Sequence, residues 1–196
     1  MGRLIAEQVV TADGYAADPA GGIDFFESLI QPGEDGDVGL NDAEQLAYVA
    51  QVDAILFGAT TYRMFADYWP KVDPEVEHIA ELINRVPKFV VSNTLASAPW
   101  GDGEIEILRG DGVAAAAQLK QRFATIIVWG SLTLTDALFR SGLVDELHLR
   151  VVPVLLGSGR SFSPAEVGEG AGAGGLELDH VETKPGGVLS VRYLVR

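Results

Sequence analysis

The sequence predicts a single mixed α/β domain over residues 1–196, with a mainly parallel sheet covered on both faces and an antiparallel hairpin at its C-terminal side. Three observations predict it. Short apolar runs alternate with helix-period segments, which is the pattern of strands joined by crossover helices. The last two strand-like runs are joined by only Pro185-Gly186-Gly187, a connection short enough for a hairpin. The chain is 196 residues long and 47% hydrophobic, enough to bury a substantial core.

The first predicted strand, residues 3–10, ends at the turn residues Asp13-Gly14. Residues 18–41, rich in Gly, Pro and acids, read as an excursion or lid loop. A helix is predicted over 41–52, capped by Asn41 or Asp42. Residues 54–57 read as a buried strand, which Gly58-Ala59-Thr60-Thr61 turns into a helix stopped by Pro70. A second helix follows over 74–84, with Val76, Ile79, Ala80 and Ile83 on its apolar face. Strands are predicted at 88–92 and 104–108, then an Ala-rich helix over 112–123 capped by Asp111. Residues 125–129 are a strand buried on both faces, turned by Gly130-Ser131 into a helix ending near Gly142. A long strand spans 146–155. The Gly-rich stretch 168–175 leads to the closing strands, 176–183 and 188–195.

Charge narrows the partners. The chain has 14 Lys and Arg against 28 Asp and Glu, for a net charge of −14, and no cysteine. Up to Tyr62, Arg3 is the only base among eleven acids. Without a Lys/Arg cluster to neutralise phosphates, nucleic acid is not an expected partner. Disulfides, thiolate metal sites and a thiol nucleophile are excluded. No run reaches the roughly 20 apolar residues of a membrane span, and the first residues do not read as a signal peptide, so the expected setting is cytoplasmic. His78, His148 and His180 are dispersed, so no metal is expected.

Three places share one design, a buried strand followed by Gly or Ser/Thr and then a helix: Gly58 to Thr61, Ser92-Asn93-Thr94, and Gly130-Ser131-Leu132. Ligands of open α/β sheets bind beyond the carboxyl ends of the strands, where helix N-termini present unpaired N–H groups suited to a pyrophosphate. Gly58 and Gly130 allow close backbone approach, and Thr60, Thr61 and Ser131 add hydroxyls. The alternative is that each Ser/Thr only caps its helix. Asp13-Gly14-Tyr15 offers a carboxylate that could orient a polar substrate or relay a proton, or could be an ordinary Asp-Gly turn. Glu146, His148 and Arg150 alternate along one strand as a polar stripe, either solvent-exposed or ligand-facing. The turn Gly157-Ser158-Gly159-Arg160 is a weaker anion candidate.

In their order and spacing, Thr11-Ala12-Asp13-Gly14, Leu56 through Tyr62, Tyr68-Trp69-Pro70, Lys88 through Thr94, Gly130-Ser131, Leu143 through Leu149 and Val152 through Gly159 resemble the dihydrofolate-reductase-like family. The likeness is to the reductase domain of riboflavin biosynthesis (RibD C-terminal-like) and its stand-alone relatives, over nearly the whole chain. The resemblance implies a three-layer sandwich and an NADPH-dependent reductase, usually a homodimer, acting on a small heterocyclic or sugar-bearing substrate. It implies cofactor contacts at Gly58, Thr60, Thr61, Ser92, Asn93, Thr94, Gly130, Ser131 and Leu132, a catalytic Asp13, and a substrate end formed by Asp13, Gly14, Tyr15 and Glu146. Two positions depart from the family. Tyr15 stands where riboflavin reductases carry Lys. Ala59 stands where relatives carry an Arg for the NADPH 2′-phosphate, a role for which Arg63 is the substitute. The rival readings are a non-catalytic nucleotide- or pterin-binding module of the same fold and a purely dimeric scaffold.

Overall fold

The structure is a computed structural model that describes residues 1–26, 43–75, 77–162 and 175–196. Its elements are β1 (Arg3–Thr11), β2 (Tyr15–Ala17), α1 (Ala43–Val49), β3 (Ala54–Gly58), α2 (Ala59–Tyr68), α3 (Ala80–Arg85), β4 (Lys88–Val91), β5 (Pro99–Trp100) and β6 (Gly103–Glu104). There follow β7 (Glu106–Leu108), α4 (Gly112–Arg122), β8 (Thr125–Trp129), α5 (Leu132–Arg140), β9 (Glu146–Val152), β10 (Arg160–Ser161), β11 (Leu176–Thr183) and β12 (Leu189–Val195). The main sheet has eight strands in the order β11-β12-β9-β1-β8-β3-β4-β7, and two small ladders pair β10 with β2 and β5 with β6.

The chain divides into two compact units. One comprises Met1–Ala6 and Ala43–Val144, the other Glu7–Asp42 and Asp145–Arg196. In the first, β8, β3, β4 and β7 are parallel neighbours. Gly58 is in register with Val91, and Val91 with Leu108, so these strands end in one row. Every residue of β8 is buried, as expected of a strand covered on both faces. Ile55, Phe57, Val90, Ile127 and Trp129 form the centre of the core, with Val49, Tyr62, Ile79 and Ile83 packed from the helices. Phe57 lies 5.1 Å from Phe65 and stacks on Trp100 at 5.9 Å. Each such side chain removed from water contributes about 1.5–3 kcal/mol.

In the second unit, β11, β12 and β9 form an antiparallel ladder closed by the turn Pro185–Gly187. A small cluster of Val152 and Val188 with Val9, Phe25 and Val154 forms its apolar centre.

Four expectations are corrected. The helix expected over 74–84 begins only at Ala80, because the Asp73 carboxylate accepts the Glu75 N–H at 2.9 Å and holds a local turn that competes with helix. Residue 104 leaves the strand expected over 104–108 and pairs with Pro99 across the tight Gly101-Asp102 turn, where Gly101 has φ +59°. The long strand ends at Val152 rather than at 155, because Pro153 has no N–H for the ladder. No helix follows β4, as detailed below. The expected N-caps Asn41 and Asp42, most of the 18–41 loop, Val76 and residues 168–174 lie outside the described residues.

Candidate functional site

Two strand-to-helix turns of the first unit are joined side by side. Gly58 ends β3 and caps α2 with its backbone, and Ser131 does the same for α5. The Gly58 N–H donates to Ser131 Oγ at 2.8 Å, and the Ser131 N–H donates to Thr61 Oγ1 at 2.9 Å. Ser131 Oγ in turn donates to the Trp129 carbonyl at 3.0 Å. Gly130 and Ser131 both take left-handed backbone, at φ +54°. That is ordinary for glycine but costs a residue with a Cβ on the order of 1 kcal/mol. The reciprocal bonds hold Ser131 in that conformation. The Thr61 and Ser131 hydroxyls therefore bind the two turns to each other.

What remains for a ligand is backbone. No side chain caps the N-terminus of α2, a helix of 10 residues, or that of α5, a helix of 9. By contrast, the Asp111 carboxylate accepts the Val113 N–H at 3.1 Å and neutralises the start of α4. Two adjacent uncapped N-termini present amide donors and two positive dipole ends, a place that favours an anion. Thr60 is exposed in the first turn of α2, Arg63 is exposed one turn on, and Leu132 is half-buried at the start of α5.

The third turn is built differently. After β4, Ser92 Oγ accepts the N–H groups of Thr94 at 3.2 Å and Leu95 at 3.1 Å, forming a hydroxyl-capped turn that leads on to β5 without a helix. Asn93 exchanges two bonds with the Gly110 backbone, accepting at 2.7 Å and donating at 3.3 Å. Arg109 donates to the Ser92 carbonyl at 2.7 Å and also to the Leu95 carbonyl. Sequence reasoning missed Arg109. The one cue was a cation between a strand-like run and the Gly110-Asp111 turn.

In the second unit, Asp13 is the hub of the turn after β1. Its carboxylate accepts Thr11 Oγ1–H at 2.6 Å, the Gly157 N–H at 2.7 Å and the Leu156 N–H at 3.2 Å. The Thr11 hydroxyl, then the Gly157 amide, hold its pKa below the usual carboxylate value. The anion seated on the glycine-rich loop is thus Asp13 itself. Thr11 Oγ1 also accepts the Tyr15 N–H at 3.0 Å, and Gly14 turns the chain at φ +85°. The pairing of Ser161 with Tyr15 and Arg160 with Ala17 completes this fastening. Gly159 is required there, since a Cβ would meet the Ala17 carbonyl oxygen at 2.3 Å.

The polar stripe of β9 is buried rather than solvent-exposed. His148 and Arg150 are buried; Arg150 pairs with buried Glu7 at 3.2 Å, and His148 Nε2 lies 3.1 Å from Glu146. Among the described residues, no three His, Asp or Glu side chains converge as a metal-binding group, and no helix is long and apolar enough to cross a membrane.

A profile of the RibD C-terminal domain matches residues 3–189. The chain belongs to the RibD C-terminal domain family. This member is 28% identical over 161 residues to the uncharacterised protein YyaP of Bacillus subtilis strain 168, covering 81% of this chain and 78% of that protein. Its fold matches a candidate riboflavin biosynthesis protein from Shewanella sp. PV-4, with TM-score 0.75, 22% identity and 99% of each chain covered. It also matches a dihydrofolate reductase from Enterococcus faecalis complexed with NADP(H), with TM-score 0.63, 10% identity, and 100% and 97% coverage. The RibD C-terminal domain of this chain therefore has a dihydrofolate-reductase-like fold.

Proposed function

We propose that this RibD C-terminal protein is an NADPH-dependent reductase that delivers hydride to a small heterocyclic or sugar-bearing substrate. The observation that carries the reading is the pair of uncapped helix N-termini at Gly58–Thr61 and Ser131–Leu132, fastened together by the Ser131 and Thr61 hydroxyls. This arrangement fits a dinucleotide pyrophosphate, which needs clustered amide donors and no nearby carboxylate. Family membership and the solved dihydrofolate reductase complexed with NADP(H) support the same cofactor.

NADPH would supply the hydride. The amides of Ala59, Thr60 and Leu132, with Gly58 and Gly130 free of side chains, would hold its pyrophosphate. The turn at Ser92-Asn93-Thr94, made rigid by Arg109, would bound it along the carboxyl ends of β4 and β7, and Arg63 would supply a cation in place of Ala59. Substrate recognition is assigned to the fastened turn of Asp13, Gly14 and Tyr15 and to Glu146. With three donors on its carboxylate, Asp13 serves orientation better than proton transfer.

Thermal-shift and fluorescence titration test the cofactor first. NADPH is expected to raise the melting temperature and to saturate; no response to NADPH or NADH sinks the reading. Oxidation of NADPH is then followed across pterins, flavin precursors and carbonyl compounds. Saturable binding without oxidation of any would favour a nucleotide- or pterin-binding module instead.

A further inference from the structure

One buried carboxyl group of the first unit has no part in the hydride chemistry. Glu77 is 3% exposed, and its Oε2 is buried with no hydrogen-bond partner. Its Oε1 accepts the Tyr68 hydroxyl at 2.8 Å. Tyr68 is the last residue of α2, and Glu77 lies on the connection to α3, where its N–H donates to the Asp73 carbonyl at 2.9 Å. A carboxylate buried with a single donor on one oxygen is costly, so the fold favours the neutral acid. Burial holds the Glu77 pKa above the ordinary 4.5, against the opposing effects of the Tyr68 bond and of His78, the titratable groups that act on it. The other charges of the connection are engaged elsewhere: Lys71 pairs with Asp67, and the Asp73 carboxylate accepts the Glu75 N–H.

We propose that Glu77 is a proton-operated latch on the cofactor turns: neutral, it fastens the C-terminal end of α2, and its ionisation loosens that helix and weakens binding at the other end. α2 runs from Gly58, which caps it in the first of the two paired turns, to Tyr68 at the latch. A row of rings leads from the latch to the second turn. Trp69 meets Tyr68 edge-on, with centroids 5.2 Å apart; Phe65 lies 5.9 Å from Trp69 and stacks on Trp129 at 5.8 Å. The Trp129 carbonyl accepts Ser131 Oγ, which itself accepts the Gly58 N–H. A second arm runs through Asn84, which donates to the Trp69 carbonyl at 2.9 Å and accepts the Trp100 indole N–H at 2.8 Å, while Trp100 stacks on Phe57. Close-packed rings transmit a displacement because there is little free volume to absorb it. Linkage fixes the sign: a ligand that tightens the arrangement holding Glu77 neutral favours proton uptake, so acid tightens the ligand by the same factor.

The effect on binding rests on the cofactor reading above, whereas the latch itself does not, and the two are tested apart. Trp69, Trp100 and Trp129 are the three tryptophans of the chain, so intrinsic fluorescence reports the latch without any ligand. Between about pH 5 and 8, the free protein is expected to show a fluorescence step that Glu77→Gln removes. Over that step NADPH affinity is expected to fall about fivefold in the wild type, and in Glu77→Gln to follow only the titration of the ligand. Tyr68→Phe takes away the bond that favours the ionised form, so it should move the step to higher pH. It gives an independent reading should the glutamine variant lose its fold. A wild type without the step overturns the latch, and so does a step that both variants leave in place. A step with the same NADPH profile in wild type and Glu77→Gln overturns the coupling to the cofactor. The step with no response to NADPH or NADH supports the latch and sinks the cofactor reading.

Discussion

Asp13 shows how a residue's identity can be visible while its role is not. An Asp before Gly at the end of a strand signals a turn, and the family resemblance adds a substrate end. Neither indicates that the carboxylate receives amides from Leu156 and Gly157, over 140 positions away. Because hydrogen bonds to the charged form lower its pKa, the sign is fixed: its contribution is present above the ordinary value of 3.8 and fades as pH falls through the lower folded value. Activity measured from pH 5 to 8 should therefore show no step from Asp13. Asp13→Asn should keep cofactor binding, lower turnover, and speed amide exchange at Leu156 and Gly157. Unchanged turnover would remove it from the machinery.

Lys88 is a second residue set by its surroundings. Its ammonium donates to the carbonyls of Asn84 at 2.8 Å and Val86 at 2.6 Å and lies 4.9 Å from the Trp100 ring, while burial pushes its pKa down to about 8. Between about 8 and the unfolded value of 10.5, the unfolded chain binds more protons. Stability should then rise with pH through the interval below 10, before the tyrosines begin to titrate. Chemical denaturation at several pH values measures this slope. Lys88→Met should abolish it and, by leaving the buried Val86 carbonyl and the part-buried Asn84 carbonyl without this donor, cost about 1–3 kcal/mol.

At the scale of elements, the sequence was most readable where a local period ran uninterrupted. The β8 run Thr125–Trp129 is apolar throughout and is buried throughout, and the Asp111 cap sits where the start of α4 required one. The turn after β4 was ambiguous because Ser-Asn-Thr is equally a helix cap and a hydroxyl-capped turn; only the Arg109 and Gly110 contacts decide between them. The coupling of α2 to α5 was unreadable for another reason. Thr61 and Ser131 are separated by 70 positions, and such a contact leaves no local period. Its importance can be measured. Ser131→Ala leaves the Gly58 N–H without its acceptor, at about 1–3 kcal/mol if water does not replace it, and should weaken NADPH binding. Ser131→Gly removes the same hydroxyl but also the left-handed strain, so it should be the more stable of the two variants while binding NADPH no better. Equal NADPH affinity in all three proteins would detach this coupling from the cofactor.

For the whole molecule, the net charge of −14 and the anion-favouring turns oppose each other at different ranges. The acids act over a distance set by ionic strength, about 10 Å at 0.1 M, whereas amides and helix dipoles act within the first turn. The first 62 residues hold eleven of the acids and a single base, while the proposed pyrophosphate site begins at Gly58 and continues at Ser131. An approaching dinucleotide would meet long-range repulsion and then short-range neutral donors. Added salt weakens the first and hardly touches the second. NADPH affinity should therefore hold or rise modestly between about 0.02 and 0.3 M salt, the reverse of a site made from clustered Lys and Arg. A steep loss of affinity would mean that side-chain cations, with Arg63 and Arg109 first in line, carry the phosphate rather than the paired N-termini.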